Sequence, residues 1–162
     1  GAQFRSFTLW RMSKADFRCA HRLRVRWAEI DMQKVVFNGH YLTYIDTAVA
    51  DYWREIGLPY PDGYVEPYGC DLYLRKATVE YHGSARYDES LAVLCRVGRL
   101  GRSSMDYRFE IWREAPEPSA TPLITADLVY VNVDVTSGKP TSLPEDLRSR
   151  VRAYERVSPA EA

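Results

Sequence analysis

Residues 27–42 bring together the groups that could do chemistry in this chain. Asp31 supplies a carboxylate, and a helical pattern begins a short turn later, near Asn38. The first N–H groups of a helix lack intrahelical partners and carry the positive end of the helix dipole, so they attract developing negative charge. Gly39 has no Cβ and would let a bulky group approach the backbone closely. The sequence therefore predicts a carboxylate and an oxyanion site close to each other.

Several polar residues of this stretch also fit ordinary structural roles. An Asp between a strand and a helix is commonly a turn or cap residue, and Asn38 is a good N-cap. His40 fits either a surface position of the helix or a member of the site. His21 and His82 show no partner in the sequence and are expected to be structural.

A strand and a long helix must position these residues. Residues 22–28 alternate charged and apolar side chains, as a half-buried strand does. From Asn38 to Ile56, apolar residues recur at helical spacing, and Gly57 followed by Pro59 is a strong stop signal. The predicted stripe consists of Leu42, Ile45, Val49, Tyr52 and Ile56.

The remainder of the chain favours antiparallel strands. Residues 58–69 are rich in Pro, Gly and Tyr and predict a loop. Strands are predicted at 72–81, 91–97, 105–111 and 124–133, followed by a short polar helix from Leu143-Pro144 to about Tyr154. This order predicts an α+β domain in which the long helix lies across a sheet.

Length and composition favour one globular domain. The chain has 162 residues, 46% of them hydrophobic, and a formal net charge of zero. Neither nucleic acid nor an anionic membrane is therefore an expected partner. We expect a flexible N-terminal segment at 1–20, partly leader or vector-derived, one domain at 21–157 and a flexible tail at 158–162. Three cysteines without metal-ligand spacing indicate reduced thiols in the cytoplasm.

The stretch from Asp31 resembles the hotdog-fold thioesterases of the 4-hydroxybenzoyl-CoA thioesterase type. That family has an acidic residue after strand one, two small apolar residues, an aromatic residue and a polar turn into Tyr-Leu, here Asp31, Val35-Val36, Phe37 and Asn38-Gly39-His40-Tyr41-Leu42. Further matches follow in order, namely Tyr87-Asp88-Glu89, Gly101-Arg102-Ser103-Ser104, Asp134, Gly138-Lys139-Pro140 and Leu143-Pro144.

The resemblance implies a hotdog fold, with a curved antiparallel sheet of about five strands around a central helix. It also implies an acyl-CoA thioesterase in which Asp31 is the nucleophile or general base and the backbone N–H of Asn38 polarises the thioester carbonyl. Many family members carry His or Tyr at the position of Asn38 and Asn at that of His40, so the two polar residues are exchanged here. We therefore expect His40 to orient substrate or water. Asp46 is a second candidate carboxylate, because other hotdog thioesterases carry theirs on this helix.

The same resemblance implies the substrate contacts and the partners. Arg99 to Ser104 combines two guanidinium groups with two hydroxyls at a hairpin, a set suited to phosphates and one that helps bind the CoA nucleotide in the family. The expected substrate-binding residues are Val36, Phe37, Gly39, Tyr41, Arg99, Arg102, Ser103 and Ser104. The family pairs its subunits through the sheets, so a homodimer or homotetramer is expected, with acyl-CoA between subunits. We expect no metal and no cofactor, since CoA belongs to the substrate.

Two other functions remain open at the level of sequence. A hotdog enoyl-thioester hydratase or dehydratase would use His40 as acid and base with a carboxylate partner. A non-catalytic acyl-thioester binding module would bind CoA esters without releasing thiol. The α/β-hydrolase, zinc-protease, Rossmann and P-loop classes are disfavoured, because their motifs do not occur in the chain.

Overall fold

Five antiparallel strands and one short parallel strand form a single sheet in a computed structural model that describes residues 14–162. The strands are β1 (Cys19–Arg24), β2 (Cys70–Tyr81), β3 (Ser90–Leu100), β4 (Ser104–Ala115), β5 (Ile124–Asp134) and β6 (Ala160–Glu161). Their order across the sheet is β1-β3-β4-β5-β2, and β6 pairs with the end of β3. The helices are α1 (His40–Glu55), α2 (Val65–Tyr68) and α3 (Glu145–Tyr154). The predicted hotdog arrangement of a long helix on an antiparallel sheet is confirmed.

Helix α1 buries one face against the sheet. The buried residues of that face are Tyr41, Tyr44, Ile45, Ala48, Val49, Tyr52 and Trp53. Leu42, which we placed on the buried stripe, is 38% exposed, because the stripe is centred on Tyr41 and Ile45 instead. The helix ends at Glu55, and Gly57 follows with a φ of +80°, a conformation that favours glycine.

The connection from β1 to α1 differs from the prediction at both of its ends. The first strand is Cys19–Arg24 rather than 22–28, and Trp27 begins a 3₁₀ turn in which its side chain is 82% exposed. The N-cap of α1 is Gly39 rather than Asn38, because the chain already turns at Phe37, whose carbonyl accepts the N–H of His40 at 2.9 Å. The loop predicted at 58–69 contains the short helix α2.

Both ends of the domain extend beyond the bounds expected from the sequence. Phe17 packs on Ala92 and Leu94, on the sheet face opposite α1. Residues 14–20, which we assigned to the flexible segment, form a 3₁₀ turn and the start of β1, and Ala160–Glu161 of the expected tail forms β6. Residues 1–13 of the expected flexible segment lie outside the described range.

Strand β3 separates the two regions that the sequence singled out. Its first residue, Ser90, pairs with Arg24, close to the β1–α1 connection, and its last residue leads into the turn at 101–103. Eleven residues at about 3.3 Å each make β3 roughly 35 Å long. The Asp31 loop and the Arg99–Ser104 segment therefore lie at opposite ends of one subunit.

Candidate functional site

A narrow two-strand bridge shapes the connection that carries Asp31. Ile30 lies opposite Val36, the N–H of Asp31 donates to the Val35 carbonyl at 2.9 Å, and the N–H of Phe37 donates to the Glu29 carbonyl at 3.0 Å. These bonds hold the two arms of the loop together. They place Asp31 on one arm and the approach to helix α1 on the other.

The Asp31 carboxylate stabilises the turn at the tip of this loop. The Oδ1 atom accepts the N–H of Gln33 at 2.7 Å, and the backbone carbonyl of Asp31 accepts the N–H of Lys34 at 3.0 Å. Lys34 has a φ of +64°, in the left-handed region. Within residues 14–162, Oδ2 of Asp31 accepts no hydrogen bond, and the side chain is half-buried. Asp31 thus has the turn role that its local sequence suggested, with one oxygen left over.

The start of α1 presents two backbone donors. The neighbouring N–H groups of Phe37 and His40 are both bonded, whereas those of Asn38 and Gly39 donate no hydrogen bond in the part of the chain described. The Asn38 carbonyl accepts the hydroxyl of Tyr81 at 3.2 Å, which ties this turn to the end of β2. Two adjacent N–H groups at a helix start can hold an anionic oxygen.

His40 and Gly39 both lie against the ring of Phe37. The His40 imidazole meets that ring edge-on, with centroids 5.6 Å apart, and forms no hydrogen bond within residues 14–162. A Cβ on Gly39 would come within 2.9 Å of Phe37 Cε1. The glycine therefore makes room for Phe37, whose ring is 48% exposed beside the two free amides.

Glu29 is a buried carboxylate that sequence reasoning missed. Its Oε1 accepts the N–H of Arg26 at 2.7 Å, and its Oε2 accepts the Arg26 guanidinium at 3.3 Å. Burial alone would raise the pKa of Glu29, but the hydrogen bonds from Arg26, with the Tyr44 hydroxyl nearby, hold it below its ordinary value. The sequence offered one sign of this arrangement, because Glu29 follows Arg26 by three residues at the start of a turn, as in a capping box. That sign is weak when the cap residue is not Ser or Thr.

Val36 and Tyr41, expected as substrate contacts, belong to the hydrophobic core. Val36 is 3% exposed and donates its N–H to the Ala85 carbonyl at 2.9 Å. Tyr41 is 2% exposed, and its hydroxyl accepts the N–H of Ala85 at 2.9 Å. The family resemblance implied that both contact the substrate, whereas in this structure both side chains pack inward.

A cavity of about 210 Å³ opens beside the middle of α1. Asp46, Val49, Ala50 and Trp53 of the helix line it together with Tyr60, Leu72, Tyr107 and Tyr130. Asp46 is exposed and is the acidic residue in this lining. The structure therefore brings the second candidate carboxylate, rather than Asp31, to a cavity within one subunit.

The Arg99–Ser104 segment forms the β3–β4 turn and packs against residues 132–143. Arg102 donates to the Ser142 hydroxyl at 3.2 Å, and the Ser103 carbonyl accepts the N–H of Asn132 at 2.7 Å. Both arginine side chains are exposed and available to an anion, but the turn lies far from Asp31 in the same subunit.

Comparison with known proteins identifies the family. The model of the thioesterase superfamily matches residues 33–120, more than half of the chain. The chain belongs to the thioesterase superfamily. The match includes the start of α1, the cavity face of the helix and the turn at 101–103, but it begins two residues after Asp31.

Solved thioesterases share the fold of this superfamily member. A DHNA-CoA thioesterase from Staphylococcus aureus is 25% identical, with a TM-score of 0.70 over 81% of this chain and 86% of that one. A 1,4-dihydroxy-2-naphthoyl-CoA thioesterase from Synechocystis is 19% identical, with a TM-score of 0.72 over 82% and 93% of the two chains. A Synechocystis sp. protein that is provisionally named an esterase is 25% identical over 117 residues, which cover 72% of this chain and 68% of that protein.

Membership in the thioesterase superfamily supports thioester hydrolysis as the chemistry of this chain. Among residues 14–162, no helix is both long and apolar enough to cross a bilayer. The same range contains no cluster of three or more His, Cys, Asp or Glu residues arranged to hold a metal ion.

Proposed function

We propose that this protein hydrolyses an acyl-CoA thioester to CoA and a carboxylic acid. The observation that carries the proposal is the pair of unbonded N–H groups at Asn38 and Gly39, on the loop that also carries Asp31. Such donors stabilise the oxyanion that forms when a thioester carbonyl is attacked. No cofactor is invoked beyond the CoA of the substrate.

The carboxylate of Asp31 activates the attack in this mechanism. As a general base, its free Oδ2 accepts a proton from water while the water oxygen bonds to the carbonyl carbon. Collapse of the tetrahedral intermediate breaks the C–S bond and releases CoA as thiolate. Because a thiol has a pKa near ~8.5, the thiolate leaves without strong help from a general acid. As a nucleophile, Asp31 would form an anhydride that water then hydrolyses.

Asp46 is the second candidate for the catalytic carboxylate, and its position at the cavity favours it. It lies six residues into α1 from His40, about 9 Å along the helix axis. If the acyl group occupied the cavity, its thioester would lie close to Asp46. The two assignments predict opposite results for single substitutions.

We further propose that the enzyme works as a homo-oligomer joined along β2. Within the described chain β2 pairs with β5 alone, and Tyr73 and Leu74 on it are 57% and 50% exposed. An unpaired edge of this length is a template for another strand. Antiparallel pairing of two β2 strands would set the start of one beside the end of the other.

This pairing would also bring the two predicted regions together across subunits. The turn at 101–103 lies at the same end of the sheet as the start of β2, since Ser104 pairs with Val131 and Val131 with Tyr73. Tyr81, at the other end of β2, contacts Asn38. The partner's turn would therefore share one end of the joined sheet with the Asp31 loop, where Arg99 and Arg102 can hold the phosphates of CoA.

The test is thiol release from a panel of acyl-CoA esters by the wild type, Asp31→Asn and Asp46→Asn. We expect the wild type to release thiol and Asp31→Asn to lose on the order of 10²-fold or more in kcat, with Asp46→Asn much less affected. The reverse order would move catalysis to Asp46. Hydration of crotonyl-CoA without thiol release would indicate that the protein is an enoyl-thioester hydratase instead. Tight binding of every ester with no turnover would indicate a binding module and overturn the proposal.

A further inference from the structure

The cavity beside α1 has aromatic walls, and one of its lining residues carries a buried hydroxyl that has no partner within residues 14–162. Trp53 and Tyr60 lie on one side, and Tyr107 of β4 and Tyr130 of β5 lie on the sheet side. Its volume of about 210 Å³ suits a ring or a short chain rather than a long acyl group.

Tyr107 is the residue whose hydroxyl is unbonded. The side chain is 1% exposed, and the hydroxyl has no hydrogen-bond partner within residues 14–162. Edge contacts hold its ring at centroid distances of 5.5 Å from both Tyr52 and Tyr130, and it stacks on Phe109 at 5.8 Å. A buried phenol without a partner is costly, so an orphan of this kind calls for an explanation.

Two other buried tyrosines of the core donate hydrogen bonds, and the hydroxyl of a third, Tyr44, lies near the Glu29 carboxylate but has no hydrogen-bond partner within residues 14–162. Tyr52 donates to Glu155 at 2.7 Å, and Tyr64 donates to Asn132 at 2.6 Å. Tyr107 differs from all three of these tyrosines because it lines a cavity.

The polar groups around the cavity define what the ligand must offer. Burial holds the pKa of Tyr107 well above its ordinary value, so the phenol is a neutral donor at physiological pH. The Tyr60 hydroxyl already donates to Asp71 at 2.8 Å. Burial, with the Asp46 charge as a second cause, raises the pKa of Tyr130 to about 12. A negative ligand group is disfavoured next to Asp46, and a neutral acceptor fits Tyr107.

We propose that Tyr107 is a specificity residue that donates a hydrogen bond to an oxygen at the distal end of the acyl group. The preferred substrates are then compact acyl thioesters with a neutral oxygen acceptor, such as an ether or carbonyl, at the end remote from the thioester. This assignment rests on the proposed function, because it takes the cavity to be the acyl site.

The test compares two isosteric esters, 4-methoxybenzoyl-CoA and 4-ethylbenzoyl-CoA, which differ by one oxygen in place of one methylene. We expect the wild type to favour the methoxy ester in kcat/KM by about threefold to tenfold. Tyr107→Phe removes only the hydroxyl, and we expect it to abolish this preference. Tyr154→Phe is the matched control, since it removes a hydroxyl bonded to Glu55 away from the cavity, and the preference should persist.

Binding of the S-(4-methoxybenzyl) and S-(4-ethylbenzyl) thioethers of CoA, measured by calorimetry, separates this proposal from the catalytic one. A preference for the methoxy thioether that Tyr107→Phe removes supports the proposal even if no ester is hydrolysed. The specificity proposal would be overturned if the wild type showed equal affinities and equal kcat/KM values for the two compounds of each pair, or if Tyr107→Phe kept the preference. In either case, thiol release from acyl-CoA esters would still support the proposed hydrolase activity.

Discussion

At the residue scale, the proposed site uses main-chain groups as well as side chains. Asn38 contributes an unbonded N–H, while its carbonyl is held by Tyr81. The exchange of Asn38 and His40 relative to the family pattern therefore leaves the donor in place. We therefore expect the backbone N–H of residue 38 to matter more for turnover than its side chain.

Two substitutions at Asn38 separate these contributions. Asn38→Ala removes the side chain and keeps the N–H, and we expect turnover within about threefold of the wild type. Asn38→Pro removes the N–H, which donates to nothing in the described chain, and we expect a loss on the order of 10²-fold in kcat. Thiol-release kinetics with circular dichroism as a folding check measures both. Equal activity of the two variants would remove the amide from the mechanism.

At the element scale, the β1–α1 connection is held by a buried charge beneath it. Glu29 accepts the backbone N–H and the guanidinium of Arg26, and its carbonyl accepts the N–H of Phe37. The loop that presents Asp31 is thereby fixed at its base. We therefore expect the position of the Asp31 carboxylate to depend on Glu29.

Glu29→Gln tests this support through its pH dependence. The pKa of Glu29 is lowered in the folded protein, so its contribution to stability is present above the unfolded pKa of about 4.3 and is lost as the pH falls through the folded value. We expect the variant to be less stable by about 1–3 kcal/mol at pH 7, with the difference narrowing below pH ~4. Urea unfolding midpoints across pH 3–7 measure it. A difference that does not change with pH would show that the charge is not involved.

At the scale of the whole molecule, we expect the free edge of β2 to complete the proposed site by pairing with a second subunit. A single subunit places the Asp31 loop and the arginine-bearing turn at opposite ends of β3. Pairing along β2 would bring the partner's turn to the end that carries the loop. Assembly and CoA binding should therefore be lost together.

The double variant Tyr73→Glu, Leu74→Glu addresses this coupling. Both side chains are at least half exposed in the subunit, so the charges should not unfold it, but they would oppose each other across a paired edge. We expect the wild type at twice the 18.7 kDa subunit mass or more, and the variant at 18.7 kDa with a raised KM for acyl-CoA. Light scattering after size-exclusion chromatography gives the mass. Glu66→Gln, an exposed change on α2 away from the edge, is the control. A monomeric wild type with full activity would contradict the coupling.

Local sequence determined the long elements and the general position of the site. Alternation of apolar side chains indicated β2 to β5, and the helical stripe with Gly57 indicated α1, because both periodicities are set by the backbone geometry of the element itself. The motif from Asp31 to Leu42, together with the further matches that follow it in order, predicted the hotdog fold, which the antiparallel sheet and the helix confirm.

Only the tertiary structure decided which side chains are exposed to a substrate and which are buried in the core. Val36 and Tyr41 lie near Asp31 in the sequence but are buried, and Tyr107 lines a cavity together with residues that are distant from it in the chain. The separation of Asp31 from Arg102 likewise follows from the length of β3 and not from their spacing in the sequence. Burial and long-range pairing depend on how elements pack against one another, and no local pattern contains that information.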